Sequence, residues 1–115
     1  MQLSIRKPLF LILIFFIFLT AQAQADELDA KRNEMVKYFK SDEEPKVIDA
    51  IWTMDNVFKV GVYDDGSRRD GYAQYVCMVL KENGFRGKEI YVQVIDYAKL
   101  MQTKKWIKLG ETFCD

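Results

Sequence analysis

A basic lead carrying Arg6 and Lys7 runs into an unbroken apolar block from Leu9 to Leu19, and Thr20-Ala21-Gln22-Ala23-Gln24-Ala25 follows with two overlapping Ala-x-Ala sites. Basic, apolar and small-residue regions in that order are the pattern of a secretory signal peptide, which is removed from the mature protein. The pattern predicts cleavage after Ala23 or Ala25. It takes residues 1–25 out of the fold and leaves one small domain, 26–115, to carry the structure. The block is eleven residues long, whereas spanning a bilayer takes roughly twenty, so no stable membrane anchor is expected after cleavage. No cysteine follows the block where a lipid could be attached. The expected location is the periplasm or the extracellular space.

A domain of this length buries a smaller share of its surface than a larger one and gains from a covalent staple. Two cysteines are present, Cys77 in an amphipathic stretch and Cys114 one residue from the end. In an oxidising compartment an even count in a small exported domain favours a disulfide. A Cys77–Cys114 bond is therefore predicted, pinning the C-terminal tail to the body of the domain. The chain-entropy estimate for a loop of this length is a stabilisation of about 3–4 kcal/mol.

Charge and composition remove several function classes. Acidic and basic residues balance at 17 each over the whole chain, and removing residues 1–25 leaves a slight acidic excess with no sustained Lys/Arg run. Nucleic acid is not an expected partner, because its binding rests on phosphate neutralisation. Histidine is absent, which removes the imidazole that Ser/His/Asp and Cys/His hydrolases use to move protons near neutral pH. Two distant cysteines without histidine do not make a zinc site, and the C-x-x-C of thiol oxidoreductases is missing. No cofactor and no metal are expected, and the chain reads as non-enzymatic.

Along the mature chain, Leu28, Met35, Val36 and Phe39 recur among charged residues and predict an amphipathic helix from Glu27 to Lys40. The Ser41-Asp42-Glu43-Glu44-Pro45 break ends it. Val47 to Met54 and Val57 to Tyr63, both rich in β-branched and aromatic residues, predict a hairpin about the Asp55-Asn56 turn. Val60 and Val62 are expected on one face, with Phe58 and Tyr63 placed less cleanly. Tyr72, Tyr75, Val76, Val79 and Leu80 then follow helical spacing. A helix from Arg68 to Asn83 is predicted, with Ser67 and Asp70 as a variant capping box and Gly84 as a left-handed cap. Glu89 to Tyr97 is apolar on both faces and predicts a central strand. Ala98 to Thr103 reads as a helical turn or a wide loop, and Lys105 to Phe113 as an edge strand guarded by its lysines.

The resulting fold class is a small two-layer α+β domain of order α-β-β-α-β-β, a mostly antiparallel sheet with two helices packed on one face. The central α-β-β-α-β order resembles that of bacterial BON domains, envelope modules associated with lipid or macromolecule binding. The resemblance is one of topology; the glycine-marked pattern of that family is not found here, and no residues carry over.

Two candidate sites stand out. The first is the loop Asp64-Asp65-Gly66-Ser67-Arg68-Arg69-Asp70-Gly71. Arginines at a helix N-terminus need counter-charge, because that end of the macrodipole favours anions. Ser67, Arg68 and Arg69 could hold a small anion there, or the three aspartates could neutralise the arginines within the loop. The aspartates lack the spacing and closing Glu of an EF-hand calcium loop. The second is aromatic. Trp52, Tyr63, Tyr72, Tyr91, Tyr97 and Trp106 exceed what so small a core holds comfortably, and Tyr and Trp anchor interfaces. Trp52, Tyr91 and Trp106 are the candidate interface residues, with the sheet face opposite the helices as their surface. The first functional expectation is an exported binding or accessory module for a protein or other envelope macromolecule, and the alternative is a small-anion or small-ligand binder built on the Asp64–Gly71 loop.

Overall fold

Antiparallel pairing accounts for only part of the sheet. In a computed structural model that describes residues 22–115, four strands lie in the order β1-β2-β3-β4. They are β1 (Val47–Met54), β2 (Val57–Val62), β3 (Tyr91–Asp96) and β4 (Lys108–Phe113). The β1/β2 and β3/β4 pairs are antiparallel, but the central β2/β3 pair is parallel. Two of the three pairs are thus antiparallel, but the sheet is mixed rather than purely antiparallel. A helix intervenes between β2 and β3, and a crossover through a helix on one face returns the chain to the end from which β2 began.

Residues 22–39 are helical (α1), and from Lys31 onward they belong to the compact unit Lys31–Asp115. The predicted signal peptide falls almost wholly on residues 1–21, outside the described residues. Two further helices are α2 (Asp70–Leu80), which runs into a π-turn at Lys81–Phe85, and α3 (Tyr97–Thr103). The full order is α-β-β-α-β-α-β. Ala98 to Thr103 thus resolves as a helix, capped by the Asp96 side chain, which accepts the Lys99 N–H at 3.1 Å. The predicted capping box on α2 does not form: the helix starts at Asp70 with Arg69 as an N-cap that makes no side-chain cap bond. Gly84 does turn left-handed, at φ +101°.

Register sorts the side chains into two faces. Phe58, Val60 and Val62 share one face of β2, opposite Val92, Val94 and Asp96 of β3. Phe58 thus groups with the two valines. This face is covered by α1 on the β1/β2 half, where Phe39 meets Phe58 at 5.4 Å between centroids. On the β3/β4 half it is covered by α2, whose Ala73, Val76 and Leu80 are fully buried. Both of these helices therefore lie on one face as expected, but α3 lies on the other. Its Tyr97 ring rests against Gly61 of β2, where a Cβ would come 3.2 Å from Tyr97 Cδ2.

The N-terminus of α2 sits hard on β4. The Arg69 N–H donates to Leu109 O at 3.0 Å, and the Glu111 N–H donates to Asp70 Oδ1 at 2.9 Å. Gly110 lies between these two bonds; a Cβ there would fall 2.2 Å from the Arg69 carbonyl carbon. Only a residue without a side chain allows the backbones to approach so closely. The predicted disulfide joins Cys77 of α2 to Cys114 just beyond β4, with Cα atoms 5.6 Å apart. The Cys114 N–H also donates to Ile90 O at 2.7 Å, so the tail is held to the body both covalently and by the backbone.

Candidate functional site

The face of the sheet opposite α1 and α2 is only partly covered, and its open part forms a groove of about 390 Å³ between β1, β2 and α3. Alternation along the strands supplies the floor: Ile51 of β1 stands opposite Lys59 of β2, and Ile95 of β3 stands opposite Gly61. Leu100 and Met101 of α3 form one wall, and Trp106 in the connection to β4 borders it. Three of the apolar side chains around it stay exposed, Ile51 at 48 %, Met101 at 57 % and Trp106 at 46 %. Solvent-exposed apolar side chains gathered about one concavity mark binding surfaces. Lys59 Nζ stands 4.3 Å from the Trp106 ring centroid, a cation–π contact.

The three candidate interface aromatics do not share one surface. Trp106 borders the groove. Tyr91 is on the same face but in another row, paired with Phe113 at 6.0 Å and flanked by the Lys108–Glu111 ion pair. Trp52 belongs to the helix face: its indole N–H donates to Arg32 O at 3.1 Å, and its ring packs on Phe58 and Phe85. Its place follows from register, since Trp52 stands opposite Phe58.

The Asp64–Gly71 loop is an internal ion-pair network. Arg68 reaches Asp70 Oδ2 at 2.6 Å and is otherwise in solvent. Arg69 is buried, pairs with Asp65 at 3.1 Å and donates to Tyr63 O at 3.1 Å, and its Nε has no partner among the described residues. Ser67 donates its hydroxyl to Asp65 Oδ1, and the Gly66 N–H donates to Asp64 Oδ1. Ser67 and its backbone N–H hold the Asp65 carboxyl below its ordinary range, with Arg69 adding to the effect. The Glu111 N–H does the same for Asp70, with Arg68 second. Counter-charge for both arginines thus comes from within the loop, and among the described residues no three Cys, Asp or Glu side chains gather as a metal site.

A further cluster escaped the sequence reading. Glu44, in the break after α1, is buried and accepts hydrogen bonds from Tyr38 at 3.4 Å, Tyr72 at 2.8 Å and Tyr75 at 2.5 Å. Burial, then the hydrogen bond to Glu44, pushes the Tyr72 hydroxyl far above its usual range; for Tyr75 the hydrogen bond to Glu44 leads. The clue in the sequence was the tyrosines, since buried Tyr hydroxyls require acceptors. The cluster ties the Ser41–Pro45 turn to both helices.

No family model, curated protein or solved structure matches this chain. The functional reading therefore rests on the geometry of the sheet face and its groove.

Proposed function

We propose that this chain is an exported, non-enzymatic binding module, periplasmic or secreted, that engages a protein or other extracytoplasmic macromolecule through the open face of its sheet. The observation that carries the reading is the groove under α3, where Ile51, Met101 and Trp106 remain exposed around a largely apolar concavity while the opposite face is sealed by two helices. The Cys77–Cys114 disulfide supports an oxidising location, in keeping with the N-terminal targeting pattern. The small-anion alternative at Ser67, Arg68 and Arg69 draws less support, because Asp65 and Asp70 already face those groups.

Photo-crosslinking in cells tests the reading. A photoreactive residue at Met101, on the groove, is expected to capture one stoichiometric partner. The same residue at Gln74, exposed on α2, is expected to capture none, and Trp106→Ala is expected to abolish the Met101 product. Equal products from both positions, or none from either, would overturn the assignment.

A further inference from the structure

The groove is apolar, but the charge around it is mostly positive. From Tyr97 to Leu109 the chain contains Lys99, Lys104, Lys105 and Lys108 and no Asp or Glu, although the whole sequence is balanced. Lys108 is neutralised by Glu111 at 2.6 Å. Lys59 and Lys104 line the groove itself, and neither has an ion-pair partner among the described residues. The single carboxylate in the lining, Asp49, is already committed: it lies 3.5 Å from Lys40 Nζ and accepts the Ala50 N–H at 2.9 Å.

Both cations are positioned by the fold. Lys59 projects from the middle of β2 and is steadied over the Trp106 ring. Lys104 ends α3 in the left-handed conformation at φ +59°, its N–H donating to Leu100 O at 2.9 Å. That left-handed cap ends α3 and turns the chain beside the cavity that Lys104 borders. At about 390 Å³ the volume lies near the lower end of the roughly 300–1,000 Å³ usual for small-ligand pockets, and it is half-enclosed rather than flat.

We propose that the groove binds a small free amphipathic anion, a single apolar chain or ring with one acidic head. The apolar body lies against Ile51, Ile95, Leu100 and Met101, and the head meets Lys59 and Lys104. This rests on the reading of the open face as the binding face and gives the concavity within it a small-molecule occupant, leaving the exposed rim at Met101 and Trp106 to the macromolecular contact. Charge complementarity selects the anion, and a concave groove of this volume fits a free molecule better than a flat membrane surface.

The test uses the full mature protein with decanoate as probe, kept below its micelle-forming concentration, and follows binding by calorimetry and by amide and methyl shifts in NMR. Decylamine supplies the same body with a cationic head, and acetate supplies the head without the body. Decanoate is expected to bind at least about ten-fold more tightly than either, a preference worth about 1.4 kcal/mol, with shifts confined to β1, β2, α3 and Trp106. Lys59→Gln and Lys104→Gln, which remove the charge and leave a polar side chain at the surface, are each expected to weaken decanoate several-fold, and the double variant to erase its preference over decylamine. Equal binding of decanoate and decylamine, a preference that survives in the double variant, shifts that map elsewhere, or sedimentation with phosphatidylglycerol vesicles in place of decanoate binding would each overturn the proposal. If decanoate fails while the Met101 crosslink persists, the ligand class falls and the open-face reading stands; loss of both removes the two together.

Discussion

The two faces of one four-stranded sheet have been finished in opposite ways. On the helix face, Phe39, Phe58, Trp52 and Phe85 stack in a continuous aromatic column, each ring within 5.4 Å of the next. Backbone meets backbone at Gly110, and a disulfide locks α2 to the chain end. On the open face a seven-residue helix covers part of the sheet, with none of its residues fully buried, and the apolar side chains beside it are left in water. The first face buries its apolar surface in the fold, and the second leaves some of it exposed. A difference of this kind separates residues that hold the fold from residues the proposed function assigns to contact, and each side of it can be broken.

The two glycines give the sharpest contrast, because each lies beneath a helix on a different face. Gly110→Ala drives a methyl group into the Arg69 and Asp70 backbone and is expected to cost about 3 kcal/mol or more. Gly61→Ala meets only the movable Tyr97 ring and is expected to cost about 1 kcal/mol. Urea unfolding of both variants, with equal losses, would dissolve the distinction between the faces.

Removing the staple by Cys77→Ala with Cys114→Ala is expected to lower stability by about 3–4 kcal/mol. In the unreduced wild-type protein, alkylation followed by intact mass is expected to find no free thiol. Glu44→Ala strands hydroxyls of Tyr38, Tyr72 and Tyr75 and is expected to cost about 2–3 kcal/mol. The same cluster sets an alkaline limit. Tyrosines with raised folded pKa values contribute stability that is complete below about pH 10, the ordinary tyrosine value, and is lost as pH climbs beyond it. Absorbance titration is expected to show Tyr72 and Tyr75 ionising only as the protein unfolds.

On the open face, Trp106→Ala is expected to change stability by less than about 1 kcal/mol while removing the crosslinked partner, a separation that no residue of the aromatic column can give. The smallest effect concerns acid. The Asp70 carboxyl is held low by the Glu111 N–H and Arg68, so its contribution is present above about pH 4 and fades as pH falls through its lowered folded value. Asp70→Asn is expected to flatten the acid limb of the stability curve below about pH 4.

The strands, the two longer helices and the cysteine pair were legible because each is written in local pattern or in chemistry. The bounds of β1 coincide with the apolar run Val47–Met54, and helical spacing from Tyr72 marked α2. Strand direction was not legible in periodicity, which reads the same either way, and the helix between β2 and β3 permits a parallel pair without requiring one. The α3 helix has only an Asp96 cap and seven residues to announce it. Glu44 sits in a run of charges that looks solvated, and its burial depends on hydroxyls up to 31 positions away. Trp52 and Trp106 are equivalent as letters, and only register assigns one to the sealed face and leaves the other beside the groove.

Cys77 and Cys114 bracket β3, α3 and β4 along the chain, so Lys104, Trp106 and the whole wall supplied by α3 belong to a single closed ring. Before oxidation that wall hangs from a segment whose far end is held only by noncovalent contacts; afterwards both ends are anchored to α2 and what precedes it. The disulfide thus closes the loop of chain that supplies one wall of the groove, so the covalent staple of the sealed face also limits how far the wall of the open face can stray.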